Sequence, residues 1–225
     1  DSGQNWTRVG AADKPDGASN ITMMAEAPSN PNTIYAGTTA NKVFVTKNAL
    51  AGNNAIWAQC SDGLPTGQYP TAFAVHPADP NTAYVSFSQY GTPQSPLKHI
   101  YRTTNGCTSW TAVSDGLPDV PFNDVIIDTK APNNLFAASD IGVFNSIDGG
   151  KSWTSMDLGL PTGLIVNSLA MNAGTRQIAA GTFGRGVFRV YVADPPPAPA
   201  GLAAFTLGTS SIAWTWSAHP STYGV

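Results

Sequence analysis

The stretch SIDGGKSW (146–153) places an acid between a hydroxyl residue and two glycines and closes on a tryptophan. Read as chemistry, Asp148 is a catalytic carboxylate. Read as structure, it is the acceptor of a tight turn. An Asp followed by glycines in a hairpin accepts N–H groups of its own turn, and glycine permits the positive φ that such turns use. The tryptophan then offers a large apolar surface to a neighbouring element.

The rest of the chain decides between these readings, because the stretch has sisters. TTNGCTSW (103–110), TKNALAGNNAIW (46–57) and DSGQNW (1–6) each carry Asp or Asn near the start and Trp at the end. The pairs are Asp1/Trp6, Asn48/Trp57, Asn105/Trp110 and Asp148/Trp153. Six residues after the last three tryptophans come GLPTG (63–67), GLPDV (116–120) and GLPTG (159–163). Upstream lie SNPNTIYAG (29–37), ADPNTAYVS (78–86) and APNNLFAAS (131–139), followed by KVFVT, HIYRT, GVFNS and GVFRV. Blocks recurring in one order, at a period of about 43–57 residues, mark a repeat architecture. Asn in place of Asp at two sisters favours the turn: an amide oxygen still accepts hydrogen bonds but is no ionised acid.

Within one period the pattern is that of strands. ITMMAEA, TAFAVHP, FNDVIID and VNSLAMN alternate in part, and TIYAG, TAYVSF, NLFAAS and QIAAGT are small and β-branched. Pro-Asn, Asp-Gly and Gly-Gly punctuate them. Four short strands per repeat predict an all-β protein built of β-propeller blades. The blades fall at approximately 20–60, 69–113 and 121–156, with a group at 164–192 that lacks a fourth strand and an outer strand alone at 6–9.

SIDGGKSW matches the Asp-box, Ser/Thr-x-Asp-x-Gly-x-x-Trp, and residues 1–192 resemble the BNR-repeat propellers, most closely the xyloglucanase-like and sortilin-like branch. The resemblance implies propellers of seven or eight blades, so the remaining blades and domains of the same polypeptide are expected partners, with blades preceding Asp1. It also implies that the boxes lie away from the ligand face, which leaves Asp1, Trp6, Asn48, Trp57, Asn105, Trp110, Asp148 and Trp153 as structural residues, with Trp57, Trp110 and Trp153 buried between sheets. ADPPPAPAG (193–201) reads as a semi-rigid Pro-rich linker. Residues 202–225 resemble the start of a fibronectin type III β-sandwich, carried by Ser211, Ile212, Trp216 and Pro220.

Composition narrows the function classes. The chain has 225 residues, 11% charged, a net charge of -3, and Glu26 as its lone glutamate. No Lys/Arg run offers a footprint for nucleic acid, and no apolar stretch reaches the ~18 residues of a membrane helix. Acid–base chemistry would fall to aspartates. Cys60 follows Trp57 by three residues and Cys107 precedes Trp110 by three; a disulfide and two packed thiols both fit. Neither has a partner at metal-ligand spacing, so no metal and no cofactor is expected. The setting is read as extracellular or cell-surface, in a secreted and bacterial protein.

The candidate ligand face is built from the loops at the channel top. The insertion 86–99 stands out there, with Tyr90 and His99, and Asp124, Asp140, Phe183 and Arg185 complete the rim. Aromatic rings with carboxylates and amides suit sugars, by stacking on ring faces and by directional bonds to hydroxyls. Three readings follow: a binding or scaffold module for a glycan or protein ligand, part of a xyloglucanase-like glycoside hydrolase, or a structural cell-surface or fibre component. A hydrolase needs two carboxylates, about 6.5–9.5 Å apart if inverting; Asp124 and Asp140 are the candidates by location, and no catalytic centre is demonstrable within the segment.

Overall fold

The computed structural model describes residues 5–11, 15–156 and 159–193, and the backbone of 203–208 and 211–215. The chain divides into two compact units, Asp1–Val192 and Ala193–Val225.

The first unit contains three four-stranded antiparallel sheets and one three-stranded sheet among the described residues. Each is a meander whose strands pair in chain order. Blade 1 comprises β1 (Ile21–Ala27), β2 (Asn30–Thr38), β3 (Val43–Thr46) and β4 (Trp57–Gln59). Blade 2 comprises β5 (Tyr69–Val75), β6 (Ala83–Ser88), β7 (Ile100–Thr103) and β8 (Thr111–Ala112). Blade 3 comprises β9 (Phe122–Ile127), β10 (Leu135–Ser139), β11 (Gly142–Ser146) and β12 (Thr154–Ser155). Blade 4 has β13 (Val166–Asn172), β14 (Gln177–Thr182) and β15 (Val187–Tyr191). The first strands of successive blades are neighbours, β1 with β5, β5 with β9 and β9 with β13.

Sequence explains which strands lie deepest. The second strand of each full blade, flanked within its sheet and covered on both faces, reads as a continuous run of small and apolar residues; β10, LFAAS, is buried throughout. Three cores result, one between each successive pair of blades, around Tyr35, Val85 and Trp110, around Phe122, Leu135 and Trp153, and around Val166, Ile178 and Phe136. Among the described residues no core joins blade 4 to blade 1. Their outward faces expose apolar side chains, Met24 and Ile21 on β1 and Val187 and Tyr191 on β15.

The turns between third and fourth strands share one set of bonds. Ser146 Oγ donates to Asp148 Oδ1 (2.8 Å), as Thr103 Oγ1 does to Asn105 (2.9 Å) and Thr46 Oγ1 to Asn48 (3.1 Å). The same Oδ1 accepts the N–H of the residue before the tryptophan: Ser152 (3.0 Å), Ser109 (3.0 Å) and Ile56 (2.9 Å). Asp148 is thus occupied by its own turn, and the hydroxyl and N–H of Ser152 lead in lowering its carboxyl to about 2. Gly149 and Gly150 take φ of 74° and 89°. In blade 1 the turn absorbs a 3-10 segment, Ala49–Asn54, and keeps these bonds.

Each tryptophan then reaches back one blade. Trp110 Nε1–H donates to the Cys60 carbonyl (3.0 Å), Trp153 Nε1–H to that of Val113 (2.7 Å), and Trp57 Nε1–H to that of Val9 (2.9 Å). Each acceptor stands three residues after a tryptophan: Trp57, Trp110 and Trp6. Trp110 and Trp153 are buried, as expected. Two expectations fail at the chain's first blade. Residues 6–9 form no strand, because no described strand pairs with them, and Trp6 beside them is 93% exposed. Trp57 is only half-buried, since its neighbour is that coil and not a sheet. Asp1 lies outside the described residues.

Cys60 and Cys107 form a disulfide between blades 1 and 2, with Cα atoms 5.4 Å apart. Gly150 occupies the place of Cys107 in blade 3, and a Cβ there would lie 3.1 Å from Val113, the counterpart of Cys60. The bridge therefore uses a contact that the repeat already provides.

The second unit contributes a hairpin of β16 (Ala203–Gly208) and β17 (Ser211–Thr215). Trp216 and Pro220 lie outside the described residues.

Candidate functional site

Loops joining second to third strands, and each blade to the next, emerge at the end of the sheets opposite the Asx turns. The hairpin turns there differ greatly in length: Asp140–Ile141 suffices between β10 and β11, whereas residues 89–99 separate β6 from β7. That insertion reaches across to the next blade. Tyr90 OH donates to Asp140 Oδ2 (2.8 Å), and the Gly91 N–H donates to Asp119 Oδ1 (3.0 Å). Asn123 Nδ2 donates to Asp140 Oδ1 and to the Val166 carbonyl, both at 3.0 Å. Asp140 is held from two sides, and the bond from Tyr90 pushes that phenol above its ordinary value.

Asp119 anchors the base of the loop. It lies 2.9 Å from His99 Nε2; a carboxylate only accepts, so the imidazole N–H donates. Burial works to raise the Asp119 carboxyl, but bonds from His99 and from the Gly91 and Leu97 backbones outweigh it and hold it low. His99 is 1% exposed and stacks near Phe122 at 5.6 Å. It lies beneath the rim and is not displayed on it.

Asp124 stands apart from this network. Its Oδ1 accepts the Val125 N–H (2.8 Å) and its Oδ2 the Leu169 N–H (2.8 Å), so the side chain ties β9 to β13. Burial leads and pushes its carboxyl up. Phe183 and Arg185 sit in the β14–β15 turn, both exposed, Phe183 by 71%. Phe183 holds in blade 4 the place of Asp140 in blade 3: their N–H groups donate to Ile165 and Pro121, matching residues in successive loops. Tyr69, 59% exposed, pairs in register with Ser88 at the root of the insertion. Of the residues singled out by sequence, the structure brings Tyr90 and Asp140 into contact. Asn123, Asp119 and Tyr69 were missed. Asn123 and Asp119 hold partners distant in sequence, and Tyr69 gave no signal beyond its place in a strand. Among the described residues no group of three or more His, Cys, Asp or Glu side chains could hold a metal ion, and no helix is long and apolar enough to cross a membrane.

Known structures share this architecture. A GH74 xyloglucanase from Xanthomonas campestris matches 89% of the chain at 17% identity with a TM-score of 0.61. The fold is that of a β-propeller. A GH74 enzyme from Niastella koreensis matches 76% of the chain at 14% identity and a TM-score of 0.56. An auxiliary nutrient binding protein from Bacteroides thetaiotaomicron matches 81% at 11% identity and a TM-score of 0.58. The chain spans 33%, 28% and 44% of these proteins, respectively. At such identities the likeness concerns the fold alone. No protein-family model matches the sequence, and no curated protein is similar to it.

Proposed function

We propose that this propeller is a secreted binding module of the BNR/Asp-box class that takes a glycan on the face carrying Tyr90 and Asp140. The observation behind this reading is the Tyr90–Asp140 bridge itself. It holds a 60% exposed ring beside a fixed carboxylate, with Phe183 presenting a second exposed ring in the next blade. Ring faces stack on sugars, and a held carboxylate accepts from hydroxyls. The three matching Asx turns support the class, and the disulfide supports an oxidising compartment.

The second reading, part of a xyloglucanase-like hydrolase, draws on the GH74 neighbours. It requires a second acid opposite Asp140. Asp124 suits that role poorly, because both of its oxygens accept backbone N–H groups.

Calorimetric titration with xyloglucan and other β-glucan oligosaccharides tests both. We expect binding without release of reducing ends, weakened at least tenfold in Tyr90→Ala and in Phe183→Ala. Wild-type affinity in both variants would defeat the assignment of the face. Turnover lost in Asp140→Asn would favour the hydrolase.

A further inference from the structure

The repeat makes departures from itself visible, and two of them meet. Asp119 of GLPDV stands where Thr66 and Thr162 stand in the two GLPTG blocks. His99 of HIYRT stands where KVFVT and GVFNS have Lys42 and Gly142. Thr66 and Thr162 are exposed, whereas Asp119 Oδ1 lies 2.9 Å from His99 Nε2. Both departures belong to blade 2, His99 at the start of β7 and Asp119 in the linker that leaves the blade. Blade 2 is also the blade with the insertion. Residues 89–99 join β6 to β7, and residues 39–42, 140–141 and 183–186 make the same turn in the other blades.

The neck of the insertion is closed from outside it. The tip, residues 92–96, is exposed and folds on itself through paired backbone bonds between Thr92 and Ser95. Below the tip, Asp119 accepts the Gly91 N–H on one leg (3.0 Å) and the Leu97 N–H on the other. One carboxylate thus spans both legs. It lies so close to the backbone that a Cβ on Gly91 would overlap Asp119 Oδ2. The Lys98–Asp115 tie joins side chains 50% and 85% exposed, and pairs so exposed contribute little. His99 holds the carboxylate in turn. The ring is 1% exposed, and a proton on Nδ1 would be buried without an acceptor, so the N–H belongs on Nε2, facing Asp119. Tyr90, next to Gly91, continues directly from this neck to Asp140.

We propose that Asp119 is the positioning residue of the ligand face: it pins the neck of the insertion and thereby holds the Tyr90 ring beside Asp140, without touching a ligand itself. The ligand role rests on the reading of the Tyr90–Asp140 face given above. A ring fixed in advance spares a ligand the cost of ordering the loop. The pin therefore sets affinity although it makes no contact.

Titration of the tyrosine ring resonances in the full chain reads the pin without any ligand. In the wild type the Tyr90 phenol titrates above its ordinary value because of its bond to Asp140. Asp119→Ala should return it to about 10, and trypsin should cut the Lys98–His99 bond of the folded chain about tenfold faster as the neck opens. Gly91→Ala keeps every charge, displaces the carboxylate and should do the same. Asp115→Ala removes only the Lys98 tie and should leave the phenol unmoved. With a xyloglucan oligosaccharide as the probe, Asp119→Ala should raise Kd about tenfold. Tyr90→Ala/Asp119→Ala should bind no more weakly than Tyr90→Ala alone, because Asp119 acts through that ring. A Tyr90 phenol that stays raised in both Asp119→Ala and Gly91→Ala, or additive losses in the double variant, would overturn the proposal. A wild type that binds no oligosaccharide would defeat the glycan reading instead, and the phenol titration would then decide the pin alone.

Discussion

Truncating the four propeller-unit tryptophans one at a time measures the repeat directly, because the structure grades them. Trp110 and Trp153 are 4% and 6% exposed, and Trp6 is 93% exposed, with Trp57 between them. A buried tryptophan removes ~150–250 Å² from water, worth about 4–6 kcal/mol at ~25 cal/mol per Å² as an upper bound. Measured large-to-small changes run at about 3–5 kcal/mol. Trp153→Ala also leaves the Val113 carbonyl without its 2.7 Å donor, within the same total. We expect about 3–5 kcal/mol for Trp110→Ala and Trp153→Ala, about 1–3 kcal/mol for Trp57→Ala, and under about 0.5 kcal/mol for Trp6→Ala. Urea unfolding followed by circular dichroism reads these values. Equal costs for Trp6→Ala and Trp153→Ala, or a Trp153→Ala variant within about 0.5 kcal/mol of wild type, would refute the alignment of the repeats.

Reduction of Cys60–Cys107, which closes a separation of 47 residues, should cost about 4 kcal/mol; thermal melts with and without reductant check this, and an unchanged midpoint contradicts it. Asp148→Asn should melt near wild type and Asp148→Ala clearly lower. Because the Asp148 carboxyl is depressed to about 2, its stabilisation is present above the unfolded value of about 3.9 and fades as pH falls through about 2. Acid titration of Asp148→Asn should lack that component, and an identical acid limb would refute it. Asp128 is fully buried and paired with Arg176, itself 5% exposed, so Asp128→Ala should cost about 3–5 kcal/mol and Asp128→Leu/Arg176→Met less than the sum of its parts. Strict additivity in that cycle would show that the pair is not coupled.

The blades were legible because their signals are local. An Asx turn, a Gly-Leu-Pro step and a run of small β-branched residues each act within a few positions, so strand limits such as Val166–Asn172 follow from the pattern. The structure departs from the sequence reading where an outcome depends on a distant partner. Residues 6–9 carry the right residues for an outer strand, but a strand exists only beside another. His99 looks like a loop residue, since nothing in KHIY announces that Asp119 will close over it. Asp124 and Asp140 look alike in sequence, and one accepts backbone from the next blade while the other accepts a tyrosine from the previous one.

The two ends of the sheets also divide the work of the repeat. At the Asx turns, the same bonds recur in three blades, and the carboxylate or amide is satisfied inside its own turn. A ligand there would have to break the bonds that hold the turn itself. At the opposite end, loop length varies, and the polar bonds join different blades through side chains, as Tyr90 joins Asp140. Breaking that bond leaves both sheets and all three cores intact. On the proposed reading, a sugar stacks on Tyr90 and donates a hydroxyl to Asp140 with the Tyr90–Asp140 bond kept, because a carboxylate oxygen accepts more than one hydrogen bond. The face that the repeat leaves unconstrained is the one on which binding can be assembled without unfolding the propeller.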